Sequence, residues 1–338
     1  MSLVWQHLLT DTSARWQDGT LLGFAEPAAE IAHSTGDFAC PLPGIGIIEA
    51  TGAEAGAFLQ GQLSNDILAL DAGASQLAAY CNPKGRMLAL FRVIRRQDGY
   101  LLLLPRALLA NVLKRLRMYV LRAKVTLADV SDRWAALGVS GEQAAALLAA
   151  QGLELPDAPD AGRWQDDAGI WRLRGERPRA LVLAPAERMA QLWTALASLP
   201  RVGEPVWRLL DIRAGVPEIL PGAQESIIPQ MANLDLIDGI SFTKGCYPGQ
   251  EIVARMHYLG NLKRRMYRLL IDGDAPAPGA EVRDANGALA GEVVMAAPGP
   301  DGRSEALAVL QMNRAGTTGL QVDGRSVQAQ PVPYLQEA

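Results

Sequence analysis

From Lys263 onward the chain is cut into short apolar pieces by Pro-Gly, Asn-Gly and Asp-Gly pairs, as in APAPGAEVRDANGALAGEVV and in the stretch ending TGLQVDGRSVQAQ. Pairs of this kind supply the turns of tight hairpins, so successive pieces run antiparallel, and several short strands in one segment close into a small β-barrel. A barrel of that size cannot be the whole molecule. At 338 residues the chain exceeds the length at which a single core usually stops growing, and two or three domains are expected.

The composition excludes several classes. With 49% hydrophobic and 20% charged residues and a net charge of -4, the chain reads as an ordinary globular protein whose bulk charge gives no reason to expect nucleic acid. The first segment, MSLVWQHLLTDTSARW, lacks a basic region ahead of its apolar residues and a small-residue cleavage site. No run approaches the roughly 18 apolar residues of a membrane span, so a cytoplasmic location without membrane contact is expected. Three cysteines, Cys40, Cys81 and Cys246, are too few and too scattered for a disulfide framework, and none has zinc-ligand spacing. Any thiol chemistry is therefore individual.

Upstream of the barrel the pattern is mixed. Thr51-Gly52-Ala53-Glu54 has the form of a capping box and predicts a helix over 52–63. QLAAYC and RMLALFRVI flank Asn82-Pro83-Lys84-Gly85, and LLLL at 101–104 follows a second turn, which together predict an antiparallel meander. Pro105 can open a helix through Tyr119, and AKVTLADV closes the unit as a strand. Beyond residue 130 come short strands with Ala-rich helices, one of them opened by a second capping box at Ser140 and Gln143, with a loop at 154–168 and a helix from about Ala186 to Ser198. A long irregular stretch is expected from Pro200 to Gly249, and long loops are often functional.

The end of that stretch is the most distinctive segment: Thr243-Lys244-Gly245-Cys246-Tyr247-Pro248-Gly249-Gln250-Glu251. Its glycines and proline argue for a tight loop, and Ile252, Arg255 and Met256 then follow at helical spacing. Cys246 is thus expected just before a helix start, where unpaired amides and the nearby Lys244 favour thiolate over thiol. A free cysteine is more often a small buried hydrophobe, which suits Cys81 at the end of its apolar strand. The polar company of Cys246 argues for a functional thiol instead.

KGCYPGQE resembles the KGCYxGQE signature of the YgfZ family, and the likeness extends through IIPQMANLDLIDGISFTKGCYPGQEIVARMHYLGNLKRR and the turn CNPKGRM. The resemblance implies an α+β, three-domain aminomethyltransferase (GcvT-like) fold: a split folate-binding first domain (1–50 with 131–260), an inserted meander domain (51–130) and a C-terminal β-barrel (261–338). It implies a tetrahydrofolate or a derivative as cofactor, folate and iron–sulfur client enzymes as partners, and a role in maintaining iron–sulfur enzymes, notably those that thiolate tRNA. The site residues it points to are Cys246 and Lys244 for the chemistry, with Gly245, Tyr247, Gly249, Gln250, Glu251 and Arg255 shaping the motif. In this reading Lys244 and the helix start activate the thiol, while Gln250 and Glu251 order the loop.

Two departures from the larger superfamily bear on mechanism. Aminomethyltransferases carry an acidic pair shortly after the glycine that matches Gly85, where this chain has Leu88-Ala89, and leucine cannot perform general acid–base work. The alternative, a folate-dependent methyl or aminomethyl transferase, loses its acid there. Where the superfamily has an acid that grips the pterin, LDIRAGVPEI carries Arg213, which the resemblance places with Trp207 among the cofactor-binding residues. Trp207 matches a tryptophan lining the family's folate site, and its indole can stack on a flat ring, while the family's other tryptophan falls at Ile45.

Arg255, Lys263, Arg264, Arg265 and Arg268, interleaved with Tyr258 and Tyr267, form a basic run that is either a solvated face or a contact for tRNA or a folate's glutamate tail. Gly44-Ile45-Gly46 lacks the third glycine of a dinucleotide fingerprint, and His7, His33 and His257 have no partner at metal-ligand spacing.

Overall fold

A computed structural model describes residues 3–10 and 12–336. Its strands form two five-stranded antiparallel sheets, a short N-terminal hairpin and a closed barrel. The first sheet runs in the order Gly162–Gln165, Ala168–Arg172, Arg179–Ala184, Ala135–Ser140, Phe38–Pro41. The second runs Ser75–Cys81, Met87–Arg96, Gly99–Pro105, Ile45–Thr51, Thr126–Asp129. Six strands between Arg264 and Gln330 close the barrel, because Arg264–Asp272 pairs with Arg303–Gln311 on one side and Arg325–Gln330 on the other.

The first sheet is buried on both faces. Along Ala135–Ser140, Leu137 and Val139 face a core shared with Trp5, Leu148 and Trp193, whereas Ala136 faces the core that joins the second sheet and the barrel. This is the two-residue alternation of a strand, used to seat different partners on its two sides. The larger core includes barrel residues Met266, Met295 and Leu307, so the barrel is packed onto the rest and not tethered to it.

Several local expectations change. The boundary expected at residue 50 falls inside Ile45–Thr51, whose backbone pairs with Gly99–Pro105 and Thr126–Asp129, so the second sheet begins at Ile45. Thr51 is the last residue of that strand and caps nothing. The helix it was to open is Ala55–Gln60, and the Glu54 carboxylate accepts the Lys124 amide instead of a local one. Ser140 likewise ends a strand. The amides of Gln143 and Ala144 donate to Asp37 across the chain, so the helix Glu142–Ala149 is capped by a tertiary contact.

The loop expected at 154–168 contains the edge strand Gly162–Gln165, and the helix from Ala186 ends at Ala195. The stretch from Pro200 to Gly249 is not wholly irregular. It contains the helix Glu204–Ala214, with proline at its second position and Gly215 in the left-handed conformation after its end, the two ends at which these residues suit a helix. Among the described residues no helix is long and apolar enough to cross a membrane.

Candidate functional site

Two places in the fold concentrate chemistry. The first is a surface where two motifs distant in sequence meet. The turn Asn82–Gly85 joins the strands Ser75–Cys81 and Met87–Arg96, with the Asn82 side-chain oxygen accepting the amides of Lys84 and Arg86. Gly249 lies against this turn. A Cβ on Gly249 would stand 2.5 Å from the Asn82 carbonyl oxygen and 2.6 Å from Gly85 Cα, and its φ of +81° is one that only glycine adopts freely.

Inside this loop Tyr247 is buried and Cys246 and Gly245 are exposed. Lys244 is buried, and its ammonium donates to the carbonyls of Gln60 and Leu63 and stands 5.1 Å from the Tyr247 ring centroid. It therefore clamps the loop to the segment after Ala55–Gln60, and no hydrogen bond joins it to Cys246. Burial lowers its pKa to about 8. The helix Gln250–Tyr258 starts after Gly249, leaving Cys246 three residues before that capping position. Gln250 and Glu251 make no side-chain hydrogen bond among the described residues, so Lys244, Tyr247 and Gly249 order the loop where Gln250 and Glu251 were expected to. Arg255 is exposed on the same helix.

The other two thiols are different. Cys40 and Cys81 are fully buried, and burial pushes Cys81 up to about 12 and Cys40 well above the ordinary range.

The second place is a cavity of about 400 Å³ between the two sheets and the helix Glu204–Ala214, within the ~300–1,000 Å³ typical of small-molecule sites. Leu77, Leu90, Phe91, Leu103 and Leu104 form its apolar wall, and Ile45 also lines it. The polar wall comes from Glu204, Trp207, Arg208 and Asp211 on the helix and Glu218 beyond it. These helical positions are i, i+3, i+4 and i+7, which share one face. That spacing was readable in the sequence, but the helix itself was not expected there.

Trp207 packs over Gly138, where a Cβ would come within 2.6 Å of the indole, and the Arg179 guanidinium lies 4.4 Å from its ring centroid. Arg179 in turn pairs with Asp211. Glu204 is buried and accepts the amides of Gly44 at 3.0 Å and Leu21 at 3.3 Å through Oε1 alone. Burial raises its pKa to about 7 against the pull of Arg208 and those amides. Glu218, half-buried and lining the cavity, is raised by desolvation as well.

Arg213 does not enter this wall. Six residues from Trp207, it falls on another side of the helix, where it donates to Glu305 of the barrel and to Ser34. Leu88 and Ala89 are buried and offer no titratable group. Of the basic run, Arg265 is paired with Asp235 and Arg268 with Glu305.

A family model described as the GCVT N-terminal domain matches residues 42–156. The tRNA-modifying protein YgfZ of Yersinia enterocolitica is 36% identical over 296 residues, covering 85% of this chain and 89% of that one. Its namesake in Vibrio vulnificus is 33% identical over 321 residues, covering 93% and 95%. The glycine cleavage system aminomethyltransferase T of Bartonella henselae superposes over 99% of this chain and 98% of its own with a TM-score of 0.81 at 19% identity. The chain therefore has the aminomethyltransferase fold.

Proposed function

The chain belongs to the YgfZ family, and on that premise we propose that it is a folate-binding protein of tRNA modification that sustains iron–sulfur enzymes, tRNA-thiolating ones among them, through the thiol of Cys246. The observation that carries this reading is the meeting of the Asn82–Gly85 turn with the Gly249 loop, which holds Cys246 at the surface while the other two thiols are buried. A loop locked at both ends and open at one sulfur is suited to reaction or contact with another molecule.

The cavity supports the folate part. Trp207 supplies an aromatic wall, and Glu204 and Glu218 supply acceptors for the amino and ring N–H groups of a pterin. Arg106 Nη1 and Arg208 Nε, buried and without a hydrogen-bond partner among the described residues, the latter 3.8 Å from the Glu218 carboxylate, would serve a carbonyl or a carboxylate. A bound tetrahydrofolate would bring one-carbon chemistry to this wall. What the chain's own residues do is bind and orient the ring and exclude water from it. Leu88 and Ala89 give the transferase alternative no acid.

Two measurements on one set of proteins test the proposal. Calorimetry with tetrahydrofolate should show binding that is lost in Trp207→Ala. A deletion strain should regain thiolated tRNA nucleosides and iron–sulfur enzyme activity when the wild-type gene is restored. Absence of binding at millimolar folate would remove the cofactor from the account, and unchanged thiolation in the deletion strain would remove the tRNA role.

A further inference from the structure

The helix Gln250–Tyr258, which begins four residues after Cys246, carries with its C-cap three large apolar residues in the open: Ile252 is 38% exposed, Tyr258 65% and Leu259 84%. Single exposed apolar residues are ordinary, but three on one helix and its C-cap make a patch that an unpartnered surface seldom keeps. Phe242 stacks on His257 with ring centroids 3.7 Å apart, and Tyr258 meets His257 edge-on at 4.7 Å. These stacks hold the patch in one shape. The Asn82–Gly85 turn extends it, since Gly85 packs against Ile252.

Charge around the patch has one predominant sign. The side chains of Lys84, Arg255, Lys263 and Arg264 have no ion pair or hydrogen bond among the described residues, against two acids without an ion pair, Glu251 and Glu225, whose carboxylate accepts from Asn82. Of the residues that would have continued the basic run into a stripe, Arg265 is paired with Asp235, and Arg268 turns to the Glu305 carboxylate that it shares with Arg213. What is left is an apolar centre with a cationic rim. That is the anatomy of a protein–protein contact, whereas nucleic-acid interfaces are more evenly cationic.

We infer that the outer face of the helix Gln250–Tyr258, with Leu259 and Lys263, docks an acidic, apolar-centred surface of a partner protein and so brings that surface to Cys246. The inference rests on the proposed function for the partner's class, an iron–sulfur enzyme that thiolates tRNA. Charge complementarity selects its surface: carboxylates opposite Arg255, Lys263 and Arg264, and apolar side chains opposite Tyr258 and Leu259.

The test measures binding of the purified full-length chain to a purified iron–sulfur tRNA-thiolating enzyme of the same organism, with unfractionated tRNA in a parallel arm. Leu259→Asp and the pair Lys263→Glu with Arg264→Glu, all at exposed or half-exposed positions, should each weaken the complex about tenfold or more. Rising salt should weaken the wild-type complex and leave the charge-reversed one nearly unaffected. Cys246→Ala should bind as the wild type does. Failure of the wild type to bind, equal binding by all variants, or capture of tRNA instead of the enzyme through the same residues would overturn the inference. If Cys246→Ala restores tRNA thiolation in cells while Leu259→Asp does not, the thiol's role fails and the docking face stands.

Discussion

In the middle of the hairpin formed by Ser75–Cys81 and Met87–Arg96, Leu77, Leu90, Phe91 and Arg92 line the cavity. At its tip, Asn82 and Gly85 seat the loop that exposes Cys246. The strands carry the two roughly 17 Å apart, yet they differ in kind. The cavity gathers carboxyls whose protonation is set by burial and by fixed amide donors. The tip gathers a thiol and unpaired cations whose chemistry is set by access. One hairpin thus presents a ligand wall inward and a reactive group outward, and changes at one should leave the other legible.

The largest effect is expected at the tip. Gly249→Ala places a methyl against the Asn82 carbonyl at a backbone angle only glycine adopts freely. The left-handed conformation costs about 1–2 kcal/mol and the overpacking roughly 1–3 kcal/mol more. A melting curve should show that loss, while the pH dependence of stability set by the cavity should persist. An unchanged melting temperature would mean that the two motifs do not meet as described.

Next in size is the cavity's response to pH. The Glu204 carboxyl has a folded pKa of about 7, above its unfolded value of roughly 4.3. Its contribution is therefore fully present below the unfolded value and is lost as pH rises through about 7, a change of up to about 4 kcal/mol. Glu204→Gln should flatten denaturant midpoints between about pH 4.5 and pH 7 and be the more stable protein above that window. It should leave alkylation of Cys246 unaltered. A slope that survives the substitution would place the titration elsewhere.

What could be read beforehand depended on how local the cause was. The barrel's hairpins and the Cys246 motif were legible because Asn-Gly, Asp-Gly and Gly-Cys-Tyr-Pro-Gly act within a few residues. The capping boxes at Thr51 and Ser140 were misread because distant groups, Lys124 and Asp37, supply the partners. Lys244 looked like an activator of the thiol by proximity in sequence, but its ammonium turns inward to two carbonyls. The cavity's acids were missed because helix Glu204–Ala214 was hidden among prolines and glycines. Arg213 was placed on the ligand wall by alignment with a family position, when helical phase points it at Glu305.

A smaller effect separates the thiols. Under native conditions an alkylating reagent should label Cys246 well before Cys40 or Cys81, since those two are buried and burial also raises their pKa. Equal labelling of all three would show that the strands holding Cys40 and Cys81 open readily. Smaller still is the stability cost of removing the exposed sulfur: Cys246→Ala should melt within about 1 kcal/mol of the wild type.

That stability makes Cys246→Ala the most direct test of the claim that the outward-facing thiol carries the function. The measurement is the content of thiolated tRNA nucleosides in a deletion strain complemented by Cys246→Ala, beside strains carrying the wild type, Cys40→Ala and Cys81→Ala. Folded Cys246→Ala protein that leaves thiolation at the level of the deletion, while any folded Cys40→Ala and Cys81→Ala proteins restore it, is the result expected. Full restoration by Cys246→Ala would contradict it and reduce the motif loop to a structural element.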